Sequence, residues 1–163
     1  MTNTKEHILA LLSEIPDPEI PVITIIELGV IRDIDITDDQ TISLKITPTY
    51  SGCPAMKQIE DDVRKKLSEK GFTTITINTI FSPPWTTDWI TPEAKEKLRI
   101  YGIAPPEHST EDKSWLTGNI KTLACPRCKS QNTKLISQFG STACKALYQC
   151  QDCLEPFDYF KCI

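Results

Sequence analysis

The sequence has two histidines, six glycines and, before residue 119, a single cysteine. It has no run of 18 apolar residues, so no transmembrane helix is expected. The N-terminal MTNTKEHILALLSEIPDPE lacks a basic leader region, and acids interrupt its apolar stretch, so it does not read as a signal peptide. There is no internal repeat and no low-complexity tract. With 39% hydrophobic and 25% charged residues, a disordered or collagen-like chain is excluded. A cytosolic protein is expected, with its thiols reduced. Its seven cysteines then read as metal ligands or reactive thiols and not as a disulfide framework.

Those cysteines are unevenly spread. Residues 1–118 hold only Cys53, while residues 119–163 hold Cys125, Cys128, Cys144, Cys150, Cys153 and Cys162. Charge divides at the same place, net −7 before and +3 after. Between the two parts, 103–119 is polar and proline-bearing without periodicity. The expected organisation is an acidic domain over 1–103, a linker over 104–119 and a small cysteine-rich unit over 120–163. The last unit is too short to be held by apolar burial alone and needs a staple.

In the first domain, Ile8, Leu11, Leu12 and Ile15 recur at helical spacing. IPDPEIP, with three prolines, predicts a stiff shaped loop. TIIELG (24–29) predicts one helical turn closed by Gly29. Alternation over 30–37 and 41–47 predicts a hairpin. Residues 55–70 carry Met56, Ile59, Val63 and Leu67 on one helical face, with acids early and bases late to suit the helix dipole. FTTITINTIF (72–81) predicts a third strand. TPEAKEKLRIYG (91–102) predicts a helix with Thr91 as cap, Pro92 at its first position and Gly102 at its stop. The fold class expected is α+β, a small sandwich with helices on one face of a mixed sheet.

Cys125-Pro-Arg-Cys128 and Cys150-Gln-Asp-Cys153 are two C-x-x-C knuckles separated by 21 residues. Each such turn presents two thiolates on one side, and two turns supply the four corners of a tetrahedral metal site. One structural Zn²⁺ per chain is expected in a β-ribbon made from 133–139, 145–149 and 156–160. A rubredoxin-like iron and disulfides are the alternatives, since ligand type alone does not separate zinc from iron. Four thiolates on Zn²⁺ carry a net −2, which reduces the ribbon to about +1. No dense basic cluster interleaves with its aromatics, so nucleic-acid binding is not expected. Cys144 and Cys162 either pack on the ribbon or form a second thiol pair.

Cys53 stands in TPTYSGCPAMKQ, where Pro54 suits a first helical turn and puts Cys53 at the cap of the next helix. The unpaired amides there favour a thiolate. A buried capping cysteine is the alternative. Hydrolase chemistry is disfavoured, because neither His7 nor His108 has the context of a catalytic base. A metal role fits better, but one cysteine cannot hold a cluster that takes four thiolates. The site would need a second subunit, a partner, or the carboxylates of the DPE loop, and incomplete ligation makes it labile.

These residues carry a resemblance. Asp17-Pro18-Glu19, Pro21, Glu27-Leu28-Gly29, Thr47 and Cys53-Pro54 resemble the iron–sulfur assembly domain typified by bacterial SufT, over about residues 4–103. With SPPWTTDWITPEAKEKLRIYGIAPP and the tail CPRC…FGSTACKALYQCxxCxEPFDYFKC, the whole chain resembles the PaaD (PaaJ) family, accessory proteins of the bacterial phenylacetyl-CoA epoxidase. The resemblance implies a cytoplasmic, non-catalytic factor of aerobic phenylacetate degradation. It would assist assembly or repair of an iron–sulfur or di-iron centre through Cys53, with Asp17 and Glu19 beside it, and would carry a transient cluster or iron. Its partners would be the oxygenase and/or reductase subunits and general iron–sulfur assembly proteins, with no membrane. The alternative is a structural or regulatory subunit that binds the oxygenase through its ribbon without metal transfer.

Overall fold

The computed structural model describes residues 4–38, 40–106 and 122–161. Within it the chain forms two compact units, Met1–Trp85 and Thr86–Ile163.

The first unit begins with helix α1, Lys5–Leu12, where the Thr4 hydroxyl accepts from the His7 amide. Strands β1 (Ile31–Asp38) and β2 (Thr41–Ile46) form the expected antiparallel hairpin. Helix α2 (Ala55–Ser68) returns the chain so that β3 (Thr74–Thr79) runs parallel to β2. The sheet order is β1-β2-β3, a mixed sheet as the sequence pattern implies. Alternation does the sorting. Ile42, Leu44 and Ile46 on β2 are fully buried, as are Ile8 and Leu12 from α1 and Val63 and Leu67 from α2. Burying such a side chain contributes roughly 1.5–3 kcal/mol, enough in sum to organise a unit of this size. The helix-dipole expectation for α2 holds only at one end. Lys65 and Lys66 occupy the last turn, but Glu60, Asp61 and Asp62 begin five residues after the start. The dipole fades within one turn. Instead, Asp61 pairs with Lys57 and Asp62 accepts from Gln58, each at i,i+4 spacing.

The second unit starts with a short 3₁₀ turn, Thr87–Trp89, which the sequence pattern does not announce. Helix α3 (Pro92–Tyr101) has the expected Thr91 cap and Pro92 start. It ends at Gly102, whose φ of +99° is a conformation that glycine adopts at no steric cost. A two-residue strand, β4 (Ile103–Ala104), pairs in parallel with β7 (Pro156–Phe160). Strands β5 (Thr133–Ser137) and β6 (Lys145–Cys150) complete a sheet ordered β4-β7-β6-β5. Tyr148 stacks on Phe157 and meets Tyr159 edge to face. This aromatic cluster, with Leu123, Ala146 and Cys150, is the unit's small core.

The unit boundary differs from the domain limit expected at residue 103. Trp85 donates its indole N–H to the Leu28 carbonyl, holding residue 85 to the first unit. The β4–β7 ladder draws α3 and β4 into the second. The expected linker lies mostly outside the described residues, as do His108 and Cys162. Among the described residues, no helix is long and apolar enough to cross a membrane.

Candidate metal centre and the Cys53 segment

The two knuckles are built alike. The Cys125 amide donates to the Ser130 carbonyl, and the Cys150 amide to the Glu155 carbonyl. The residue after the second cysteine of each, Lys129 and Leu154, has φ +64°. These turns bring Cys125, Cys128, Cys150 and Cys153 together, with all four sulfurs within 4.8 Å of one another. Cys128 and Cys150 are 3.5 Å apart, and Cys125 and Cys153 are 3.8 Å apart. Four thiolates at ~2.3 Å from one tetrahedral ion stand ~3.8 Å from each other, so the donor set fits such an ion.

The thiols divide their protons unevenly. The Ser130 amide favours the Cys128 thiolate, but desolvation and the three neighbouring thiols outweigh it and push the group up to about 12. The Cys153 amide stabilises the Cys150 thiolate and, with the Asp152 amide and neighbouring thiols, brings it down to about 7 against desolvation. One negative sulfur discourages ionisation of the others, and a cation at the centre removes that conflict. Around the sulfurs, Asp152 accepts from the Ser130 hydroxyl and from the Asn132 side-chain Nδ2, and Arg127 pairs with Glu155 at 2.7 Å. These bonds tie one knuckle to the other and orient the ligand turns. No disulfide links any described cysteine.

Cys144 lies outside this set. It precedes β6, at the opposite end from Cys150. Buried, with its sulfur 3.0 Å from the Thr142 hydroxyl, it is not one of the gathered sulfurs.

In the first unit, Cys53 is half-buried, one residue earlier relative to α2 than expected. The cap position falls on Pro54, which is already helical and makes no side-chain cap bond. The Cys53 amide donates to the Tyr50 carbonyl, and its own carbonyl accepts from Met56. A tight turn therefore precedes the helix, and the thiol has no capping duty. The Thr49 hydroxyl donates to Sγ at 3.9 Å. Thr47, on the same segment, is 1% exposed, and its hydroxyl is the one buried side-chain polar atom without a hydrogen-bond partner among the described residues. Such orphans are rare enough in folded proteins to call for an explanation, a ligand among them.

The DPE loop is shaped from within. Asp17 is buried, and its Oδ1 accepts from the amides of Glu19 and Ile20 at 2.9 and 2.8 Å. One carboxylate oxygen is thus committed to the turn. Glu27 behaves similarly. Its carboxylate accepts from the Thr24 amide while the Thr24 hydroxyl accepts from the Glu27 amide. This reciprocal pair caps the expected turn at 24–29, which Gly29 closes at φ +77°. The Thr-x-x-Glu spacing in TIIE is the sequence signal for it. Among the described residues, the four ribbon cysteines are the sole group of three or more metal-ligating side chains within 4.8 Å, so Cys53, Asp17 and Glu19 are not drawn into one donor set.

Comparison with known proteins follows the same two-part division. The family "Iron-sulfur cluster assembly protein" matches residues 5–75, and the "PaaD zinc beta ribbon domain" matches residues 109–161. A putative 1,2-phenylacetyl-CoA epoxidase subunit of Escherichia coli is 52% identical over 158 residues, covering 96% of this chain and 92% of that protein. An Fe-S protein maturation auxiliary factor of Porphyromonas gingivalis is 38% identical over 96 residues, covering 58% of this chain and 90% of that protein. Among solved structures, a domain of unknown function (DUF59) from Bacillus anthracis aligns with a TM-score of 0.55 at 31% identity, covering 59% of this chain and 92% of that one. An assembly-type α+β unit followed by a four-cysteine ribbon, with identity to the Escherichia coli protein along nearly the whole length, identifies the chain as a member of the PaaD family.

Proposed function

We propose that the protein is an accessory factor that assists assembly or repair of an iron–sulfur or di-iron centre in the phenylacetyl-CoA epoxidase, and is not itself a catalyst. Cys53 takes up the cargo, a cluster or iron, and passes it on. The observation that carries this reading is the state of Cys53: half-buried, relieved of capping, hydrogen-bonded by Thr49, and outside any ready donor set. One thiolate supplies one of the four positions that a cluster takes. The remaining positions belong to the donor or the client, so release needs few bonds broken. Asp17 supports the site by shaping its own loop, and Glu19 offers a half-exposed carboxylate there.

In this reading the four ribbon cysteines hold one zinc, which acts as scaffold. The 3.5 and 3.8 Å sulfur spacings support a tetrahedral ion. The clients are the oxygenase and/or reductase subunits, with general iron–sulfur assembly proteins as donors, in the cytoplasm.

The test is complementation. Cys53→Ser, purified and checked for an unchanged melting temperature, is returned to cells lacking the wild-type chain. Loss of epoxidation is expected, and full restoration overturns the role of Cys53. Elemental analysis and an optical spectrum after anaerobic purification report the cargo. Zinc alone is expected of resting protein, and iron with sulfide of a captured cluster.

A second reading, an accessory chain that binds the oxygenase through its ribbon without metal transfer, draws on the exposure of Ile136, Phe139 and Leu154 in that unit. It predicts stoichiometric co-purification with the oxygenase, indifferent to Cys53→Ser.

A further inference from the structure

The two edges of the first unit's sheet are guarded very differently. Strand β1, on one edge, carries Arg32, Asp33, Asp35 and Asp38 and has two register irregularities against β2. Charges and bulges are the usual devices that stop an edge from pairing with another chain. Strand β3, on the other edge, has neither in its own residues, and the charge that reaches it is the Arg64 guanidinium from α2. This strand pairs with β2 through six regular steps, from Thr41↔Thr74 to Ile46↔Thr79. No charged residue occurs between Lys70 and Asp88, and no proline interrupts 74–79.

The direction of its backbone groups is readable. The Thr74 amide donates to the Gln40 carbonyl and the Ile80 amide to the Ile46 carbonyl, so even-numbered residues turn toward β2. The Ile75 carbonyl accepts instead from the Arg64 guanidinium at 2.6 Å, so odd-numbered residues turn outward. Arg64 takes one lone pair of that carbonyl and leaves a second. Among the described residues, no strand pairs with this outer edge. Thr74, Thr76, Asn78 and Thr79 are exposed. Ile75 and Ile77, in register with buried Ile42 and Leu44, are half-exposed at the rim of the core face, and Phe81 is 64% exposed just beyond.

We propose that β3 is the edge through which two copies of this chain pair, antiparallel about a two-fold axis at Ile77, making one continuous six-stranded sheet. Self-pairing requires an edge to be complementary to itself, and a charged edge meets its own charge across the axis. TITINT meets no such repulsion. Ile77 faces Ile77 of the second copy, Ile75 faces Thr79, and Thr76 faces Asn78. The two half-exposed apolar rims close on each other, and the outward amides of Ile75, Ile77 and Thr79 find carbonyl partners. A foreign strand has no such built-in match.

This arrangement does not depend on the reading of Cys53, but it has a consequence for it. The Cys53 segment follows the C-terminal end of β2, parallel to β3. With the axis at Ile77, the C-terminal ends of the two β3 strands stand four residues, ~13 Å of strand, apart, and the two β2 strands lie three strand spacings, ~14 Å, apart across the sheet. The two thiols then serve separate sites and do not share one cluster.

Sedimentation equilibrium or light scattering on the full chain at tens of micromolar decides it. A dimer is expected for the wild type and for Cys53→Ser. Thr79→Pro removes an outward amide while sparing the ladder to β2, and Thr76→Lys with Asn78→Lys places like charges across the axis. Both variants are expected to run as monomers with wild-type circular dichroism. A wild-type monomer overturns the proposal. So does a dimer that survives both variants, which assigns the contact elsewhere.

Discussion

The Asp158 carboxylate occupies the space that any side chain on Gly140 would need. It is held there by the Ser141 hydroxyl at 2.8 Å and faces the buried Lys145 ammonium at 3.9 Å. Gly140→Ala therefore pushes the carboxylate off its partners and leaves Lys145, 4% exposed, short of its counter-charge. We expect a loss of about 1–3 kcal/mol in thermal or denaturant unfolding of the second unit. Unchanged stability would show that the 140–145 loop shifts freely, contrary to this packing.

Leu154 is a large apolar side chain held at φ +64° and 66% exposed. The left-handed conformation costs an L-residue roughly 1–2 kcal/mol, and glycine avoids it. Glycine also loosens the unfolded chain by ~0.4–1 kcal/mol. The net expectation is that Leu154→Gly leaves the ribbon as stable or slightly more so, although it deletes four carbons. If a client uses Leu154 as a contact, the same variant weakens co-purification. A drop in melting temperature counts against the strain.

Stability should fall in acid partly through Asp33. Hydrogen bonds from Lys45, then Lys5, then the Ile34 amide hold its carboxyl below the usual carboxylate range. A lowered folded value means that the contribution is present above the unfolded value, near ~3.9, and is lost as pH falls through the folded one. The difference between wild type and Asp33→Asn should thus be constant from neutral pH to about pH 5 and shrink steadily as the pH falls further. The exposed site keeps the effect small. A difference that grows in acid would reverse the sign and refute the assignment.

Removing the ribbon's metal should be the largest perturbation. Structural zinc contributes roughly 10–16 kcal/mol of binding that becomes folding free energy. Strong chelator, or Cys125→Ala, should abolish the near-ultraviolet circular dichroism of Tyr148 and its ring partners. Helices α1 and α2, whose core lies in the other unit, should persist. A ribbon that keeps its aromatic signal in either condition does not depend on the metal.

Periodicity makes most of the first unit legible. Ile42, Leu44 and Ile46 alternate, and Ile59, Val63 and Leu67 recur at helical spacing; all six are buried. The knuckles are legible because a metal site fixes the spacing of its ligands. What stays hidden in the sequence is non-local or too short for a period. The pairing of Ile103–Ala104 with β7 joins residues more than fifty positions apart, and two residues have no alternation to read. The expected cap of α2 misses by one residue at Cys53, since Pro54 adopts helical angles at the cap itself. Asp17 belongs to a motif that suggests a ligand, whereas the structure commits one of its oxygens to backbone amides.

The β4–β7 ladder also bears on how the second unit can be excised. A fragment starting at residue 109 or 120 would contain every cysteine of the four-sulfur set, yet it would strip β7 of its neighbour and expose a fresh hydrogen-bonding edge beside the aromatic core. A fragment starting at Thr86 keeps α3, β4 and that cover. The shorter pieces should bind metal and aggregate, and the longer one should bind metal and remain in solution.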